Sequence, residues 1–145
     1  MKFGGRWQEM PNLPDHLAVI DVATPDQPYR LVAAPARTFL NSTFTETPSS
    51  QKRERRPTAL MHPDDCAALG VAEADRVRVG NARGEVVVHV MPKAGQQRGV
   101  VVVEGIWPNH QFENGIGINA LTSAEPGWPN GGAVFHDTAV WIKAV

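Results

Sequence analysis

The sequence predicts a mainly β protein, a small barrel carrying one or two short helices. Three observations point there. Short runs rich in β-branched residues recur along the chain, among them Arg76–Val79, Glu85–Met91 and Val100–Glu104. Clusters of glycine, proline and asparagine separate them. Only one segment, His62–Gly70, reads as a helix of note. A βαβ sheet would need helices alternating with the strands, and a small barrel suits the pattern better than a sandwich.

The elements follow in order. Residues 1–28 carry Pro11, Pro14, Pro25 and Pro28 with no hydrophobic period. They read as a lead-in from a preceding part of a longer protein, and residues 29–145 as the barrel. Arg30–Ala34 is the first strand, ended by Pro35. Residues 41–58 read as a long polar loop, a length usually functional or disordered. It includes the basic run Lys52-Arg53-Glu54-Arg55-Arg56, read as a solvated face. Thr58–Met61 is a short strand. In the helix that follows, Pro63 suits the first position, Asp64 and Asp65 face the positive end of the dipole, and Gly70 stops it. Cys66 and Leu69 share a face, so Cys66 reads as a small core residue. Asn81–Gly84 joins two alternating strands as a hairpin, and His89 falls among valines as a core or edge histidine. Val100–Glu104 is apolar enough to be buried on both faces. Ala139–Lys143 closes the sheet.

Composition narrows the function. The chain has 145 residues, 42% hydrophobic and 20% charged, which makes one domain with a real core. A net charge of −1 gives no reason to expect nucleic acid or an anionic membrane as partner. The single cysteine excludes an intramolecular disulfide and is compatible with a reducing compartment, so the expected location is cytoplasmic, with export of a parent protein left open. No stretch approaches the roughly 18 apolar residues of a membrane span.

The familiar chemical motifs fail. Gly115-Ile116-Gly117-Ile118-Asn119-Ala120 matches the dinucleotide fingerprint G-x-G-x-x-[GA]. Polar residues 109–114 precede it instead of a strand, and Ser123–Pro129 cannot supply the helix whose N-terminus would hold the pyrophosphate. The five histidines lack zinc spacing and Cys66 has no cysteine partner, so no metal site is expected. No elbow presents a serine nucleophile, so no catalytic residue is expected. What remains is a set of short polar clusters on a β frame: Arg37–Thr43, Asn119–Thr122 and Gly131–Thr138. Such clusters suit holding a large polar ligand rather than transforming one.

An ordered series of segments carries a resemblance. It runs through Pro35-Ala36-Arg37-Thr38-Phe39-Leu40-Asn41-Ser42, Met61-His62-Pro63-Asp64-Asp65-Cys66-Ala67-Ala68-Leu69-Gly70-Val71, and Asp75–Val79 with Arg83–Val86. Asn119-Ala120-Leu121-Thr122 and Phe135–Val140 follow. From Tyr29 to Val145 the chain resembles the C-terminal molybdopterin dinucleotide-binding domain of molybdopterin oxidoreductases, the family of dimethyl sulfoxide reductase and formate dehydrogenase. The resemblance implies a double-psi β-barrel that binds and orients molybdopterin guanine dinucleotide in an oxidoreductase dependent on molybdenum or tungsten. It implies cofactor contacts from Ala34, Pro35, Arg37, Thr38, Asn41, Ser42, Thr43, Gly105, Trp107, Asn119, Thr122, His136 and Asp137.

The chemistry is compatible. Asn41 and Asn119 each offer a donor and an acceptor to base or pterin edges, and Ser42, Thr43 and Thr122 offer hydroxyls. Arg37 suits a phosphate, and backbone N–H groups of the Ala34–Ser42 loop suit phosphate oxygens. Trp107 offers a flat face. Plainer roles stay open: a turn for Asn41, a surface ion pair for Arg37, core packing for Trp107, Trp128 and Trp141. By the resemblance the metal ligand and any iron–sulfur cysteines lie in the remaining domains of the parent enzyme, the expected partners, so this chain alone is not expected to turn over substrate. A stand-alone double-psi-barrel adaptor without cofactor is the alternative. A self-processing decarboxylase barrel is discounted, because none of the four serines follows a glycine.

Overall fold

The computed structural model describes residues 20–127 and 131–145. The lead-in up to residue 19 and Trp128 lie outside them. In chain order the elements are β1 (Tyr29–Ala34), α1 (Pro48–Glu54), β2 (Thr58–Met61), α2 (Pro63–Leu69), β3 (Arg76–Asn81), β4 (Gly84–Pro92) and β5 (Val100–Glu104). Two-residue strands β6 (Pro126–Gly127) and β7 (Gly132–Ala133) pair with each other, and β8 (Thr138–Ala144) ends the fold. Six strands close into a barrel in the order β1-β5-β2-β4-β3-β8. The pairs β1–β5 and β2–β4 are parallel, while the other four are antiparallel. The chain is a double-psi β-barrel.

Period-two alternation fills the barrel. Val77, Val79, Val86, Val88, Val101 and Val103 are fully enclosed. Their neighbours in sequence face out. The valine run in β5 was expected to be buried on both faces. Instead Val100 and Val102 are only half-buried, because a closed barrel offers each strand one interior face. The β3–β4 hairpin turns through Ala82 and Arg83, with Asn81 paired to Gly84.

The helix α2 forms as its caps predict. His62 Nδ1 accepts from the Asp64 N–H at 3.1 Å, and Gly70 stops the helix at φ 68°. Asp65 is buried and accepts the Gly99 N–H at 2.7 Å, tying the helix to the start of β5. Cys66 is buried in the core, and burial pushes its thiol above the ordinary range.

The polar stretch 41–58 is not a structureless loop. It contains α1, started by Pro48 and closed by Lys52 and Arg53, whose charges suit a helix C-terminus. Only Ser50 of this helix is buried, so no hydrophobic period announces it. Glu54 holds it to the preceding segment by accepting from both the N–H and the hydroxyl of Thr38. Among the described residues, no helix is long and apolar enough to cross a membrane.

His89 on β4 faces the outside of the barrel beside Arg76 and Thr58, and its Nδ1 is buried without a hydrogen-bond partner. Burial, and then the nearby Arg56 charge, push its pKa below the ordinary 6.5. The unfolded chain therefore protonates this group at a higher pH than the folded one does. Its contribution to stability is complete above pH 6.5 and is lost as pH falls below it. The urea midpoint should drop between pH 7.5 and pH 5.5, and His89→Gln should remove part of that drop. An identical pH dependence in the variant would exclude His89 as a source.

Candidate functional site

Because β1 and β5 are parallel neighbours, they end side by side, where the Gly105 N–H donates to the Ala34 carbonyl at 2.8 Å. A cavity of about 250 Å³ opens at these ends. The end of β1 contributes Ala33, Ala34 and Pro35, and the segment after β5 contributes Gly105 and Ile106. Asn41 comes from the turn after β1, Asn119 and Thr122 from the turn Ile118–Leu121, and Phe135 and His136 from the approach to β8. Seven of the thirteen residues expected to contact a ligand are thus gathered on one cavity: Ala34, Pro35, Asn41, Gly105, Asn119, Thr122 and His136.

Most of the lining is apolar, and Asn41, Asn119, Thr122 and His136 supply its polar side chains. Among the described residues, the carboxamides of Asn41 and Asn119 make no side-chain hydrogen bond, so their donors and acceptors are free for a ligand. Asn41 also occupies a tight turn at φ 52°, closed by paired backbone bonds between Leu40 and Thr43, which is the turn role its residue type suggests. The Thr122 hydroxyl donates to the Asn119 carbonyl at 2.9 Å. Gly105 is required where it stands. Its φ is 83°, and a Cβ there would lie 2.8 Å from the Phe39 ring.

The other expected residues sit elsewhere. Arg37 is exposed and forms no ion pair among the described residues. Thr38 is engaged by Glu54. Ser42 and Thr43 lie in the tight turn, with Ser42 lending its carbonyl to the Thr45 hydroxyl. Trp107 is buried, packs edge-on against Phe39 at 4.7 Å, and donates its indole N–H to the Glu104 carbonyl. It lines a second cavity of about 350 Å³, shared with Arg53, Arg56, Leu60, Glu104 and Met91.

Asp137 points away from the cavity into a clamp. Arg30 Nε donates to its Oδ1 at 2.5 Å, Arg30 Nη2 pairs with Oδ2, and the same nitrogen donates to the Asp137 carbonyl. The clamp fixes the backbone next to His136, whose ring packs at 4.1 Å against that of Phe135. Sequence reasoning missed Ala33 and Phe135 as lining residues. Only Phe135 left a signal, as an aromatic next to a polar cluster; it is 47% exposed in the fold.

The site offers hydrogen-bonding edges and an aromatic rim and, among the described residues, no paired nucleophile and base. Among the described residues, no three His, Cys, Asp or Glu side chains group to hold a metal. The lining of the cavity suits a ligand with a flat apolar face and hydrogen-bonding edges. The family model described as "Molydopterin dinucleotide binding domain" matches residues 29–139, and the chain belongs to that family. A probable oxidoreductase of Bacillus subtilis is 32% identical over 137 residues, which cover 93% of this chain and 19% of that protein. The dimethyl sulfoxide/trimethylamine N-oxide reductase of Rhodobacter capsulatus is 47% identical over 49 residues, 33% of this chain and 6% of that one. The solved acetylene hydratase of Pelobacter acetylenicus superposes with a TM-score of 0.69 at 15% identity, covering 82% of this chain and 18% of that one, which shows a shared fold. The chain spans about a fifth or less of the length of these relatives.

Asp137 holds its clamp at φ 61°, a left-handed conformation that costs a residue with a Cβ about 1 kcal/mol. Asp137→Ala should therefore unfold at lower urea concentration than Asp137→Gly, although both lose the carboxylate. Equal midpoints would show that the backbone there is unstrained.

Proposed function

We propose that this domain binds and orients molybdopterin guanine dinucleotide within a larger oxidoreductase dependent on molybdenum or tungsten, residues 1–28 leading in from the rest of that enzyme and residues 29–145 forming the barrel. The observation that carries this reading is the pair of unengaged carboxamides, Asn41 and Asn119, facing one cavity beside Thr122 and His136. A pterin or guanine presents alternating donors and acceptors along its edges, which a carboxamide matches with two hydrogen bonds.

The cavity is about 250 Å³, near the lower limit for ligand pockets at roughly 300 Å³. It takes one bicyclic part of the cofactor, and the remainder lies outside it. Ile106 and Phe135 supply apolar contact, and they exclude water from the polar edges. Arg37, exposed on the segment leaving β1, is available to a phosphate. Thr38, Ser42, Thr43 and Trp107 shape the surrounding segments, and Asp137 holds His136 in place. When bound, the cofactor and its metal supply the redox chemistry, and this chain's part is orientation and shielding. Metal ligation belongs to the remaining domains of the parent enzyme.

Asn119 is exposed, and its side chain makes no hydrogen bond among the described residues. Asn119→Ala in the whole enzyme should weaken cofactor retention about tenfold, the worth of one or two hydrogen bonds at about 1 kcal/mol each, and leave the unfolding midpoint unchanged. Pterin and metal content after gel filtration reads the first quantity, and urea unfolding the second. Unchanged content, or a parallel fall in stability, would remove the direct contact. A parent enzyme that carries no pterin at all would leave the domain a cofactor-free adaptor.

A further inference from the structure

Two walls of the cavity, the turn Ile118–Leu121 and the approach to β8, belong to no barrel strand. A four-residue 3-10 turn has little stability of its own. At its two ends the Ala120 N–H bonds the Gly117 carbonyl and the Thr122 N–H bonds the Asn119 carbonyl. Something outside must set where Asn119 and Thr122 stand. Burial of Ile118 and Leu121 anchors the turn on the core, but apolar packing does not fix the rotation of a peptide plane.

Asn81, the last residue of β3, is 9% exposed and does fix it. Its Nδ2 donates to the Leu121 carbonyl at 2.8 Å and reaches the Ala139 carbonyl at 3.5 Å. Leu121 lies between the two cavity residues Asn119 and Thr122, and Ala139 lies two residues beyond the clamped Asp137. Asn81 Oδ1 accepts the Arg83 N–H at 2.9 Å. Arg83, held by both oxygens of Asp21, adds a bond from Nη1 to the same Leu121 carbonyl at 3.3 Å. One buried carboxamide therefore joins the β3–β4 hairpin to the Ile118–Leu121 turn and to the start of β8.

We propose that Asn81 is a positioning residue for the cofactor cavity, setting the Asn119–Thr122 wall against the start of β8 through its two amide hydrogens. The proposal rests on the cofactor-binding role given above. The plainer role for Asn81 is to shape the hairpin through its Oδ1, as asparagine does in turns. Aspartate serves that purpose equally well but has no amide hydrogens, so Asn81→Asp separates the two. Asn81→Ala is the second variant, free of any buried charge.

The experiment measures native-state hydrogen exchange on the 145-residue chain, together with fluorescence titration using pterin dinucleotide released from a denatured molybdoenzyme. In both variants the Ala120 and Thr122 amides should exchange at least tenfold faster while the β3–β4 ladder amides keep their protection. The dissociation constant for the pterin dinucleotide should rise about tenfold. Wild-type exchange in Asn81→Asp, or uniform loosening of turn and ladder together in both variants, would overturn the positioning role. A wild-type chain that takes up no pterin dinucleotide would sink the cofactor reading instead, and the exchange rates would still decide whether Asn81 sets the turn.

Discussion

Everything in this domain hangs on β8 pairing with two strands at once. It lies antiparallel to β1 along Thr138–Val140 and to β3 along Trp141–Ala144. That double pairing turns a curved sheet into a closed barrel with no free edge among its six strands. Closure fixes where every strand end falls. The two parallel pairs cannot be joined by tight hairpins, so long irregular connections must cross the barrel ends. Those connections carry the polar residues, and the barrel supplies the rigid rim that brings them together.

The irregular segments are held by a few polar contacts between side chains and backbone. Arg30 reaches across 107 positions to Asp137, and Asn81 reaches 40 positions to Leu121. Both anchors start from barrel strands and end beside residues of the cavity. A rigid frame with few tethers keeps the walls precise, whereas the side chains facing the cavity stay free of competing partners.

How far the sequence was legible follows from the range of the forces involved. The β3–β4 hairpin and α2 could be read because their signals are local: period-two valines around Asn81–Gly84, and a proline, two aspartates and a glycine around Cys66. Helix α1 was hidden because it is polar on every side and is docked through Glu54 rather than through an apolar stripe. The β6–β7 pair was hidden because two-residue strands have no period to detect. Family resemblance brought Asn41, Asn119, Thr122 and His136 into view, but their meeting on one cavity depends on β1 and β5 lying parallel, a pairing between residues 70 positions apart such as Arg30 and Val100. Ala33 and Phe135 went unread because an apolar side chain beside a ligand and one in a core look alike in sequence. The Arg30–Asp137 clamp is a pair of opposite charges with nothing local to join them.

The four residues after the core of β5 divide two hollows. Gly105 and Ile106 border the smaller one, and Glu104 and Trp107 border the larger. Phe39 braces this strip by packing beside both Gly105 and Trp107. Neither compartment can be reshaped alone: a bulkier residue on one side displaces the strip into the other. Over evolutionary time this couples the two surfaces, so substitutions that retune one chamber should arise together with compensating changes in the lining of its neighbour.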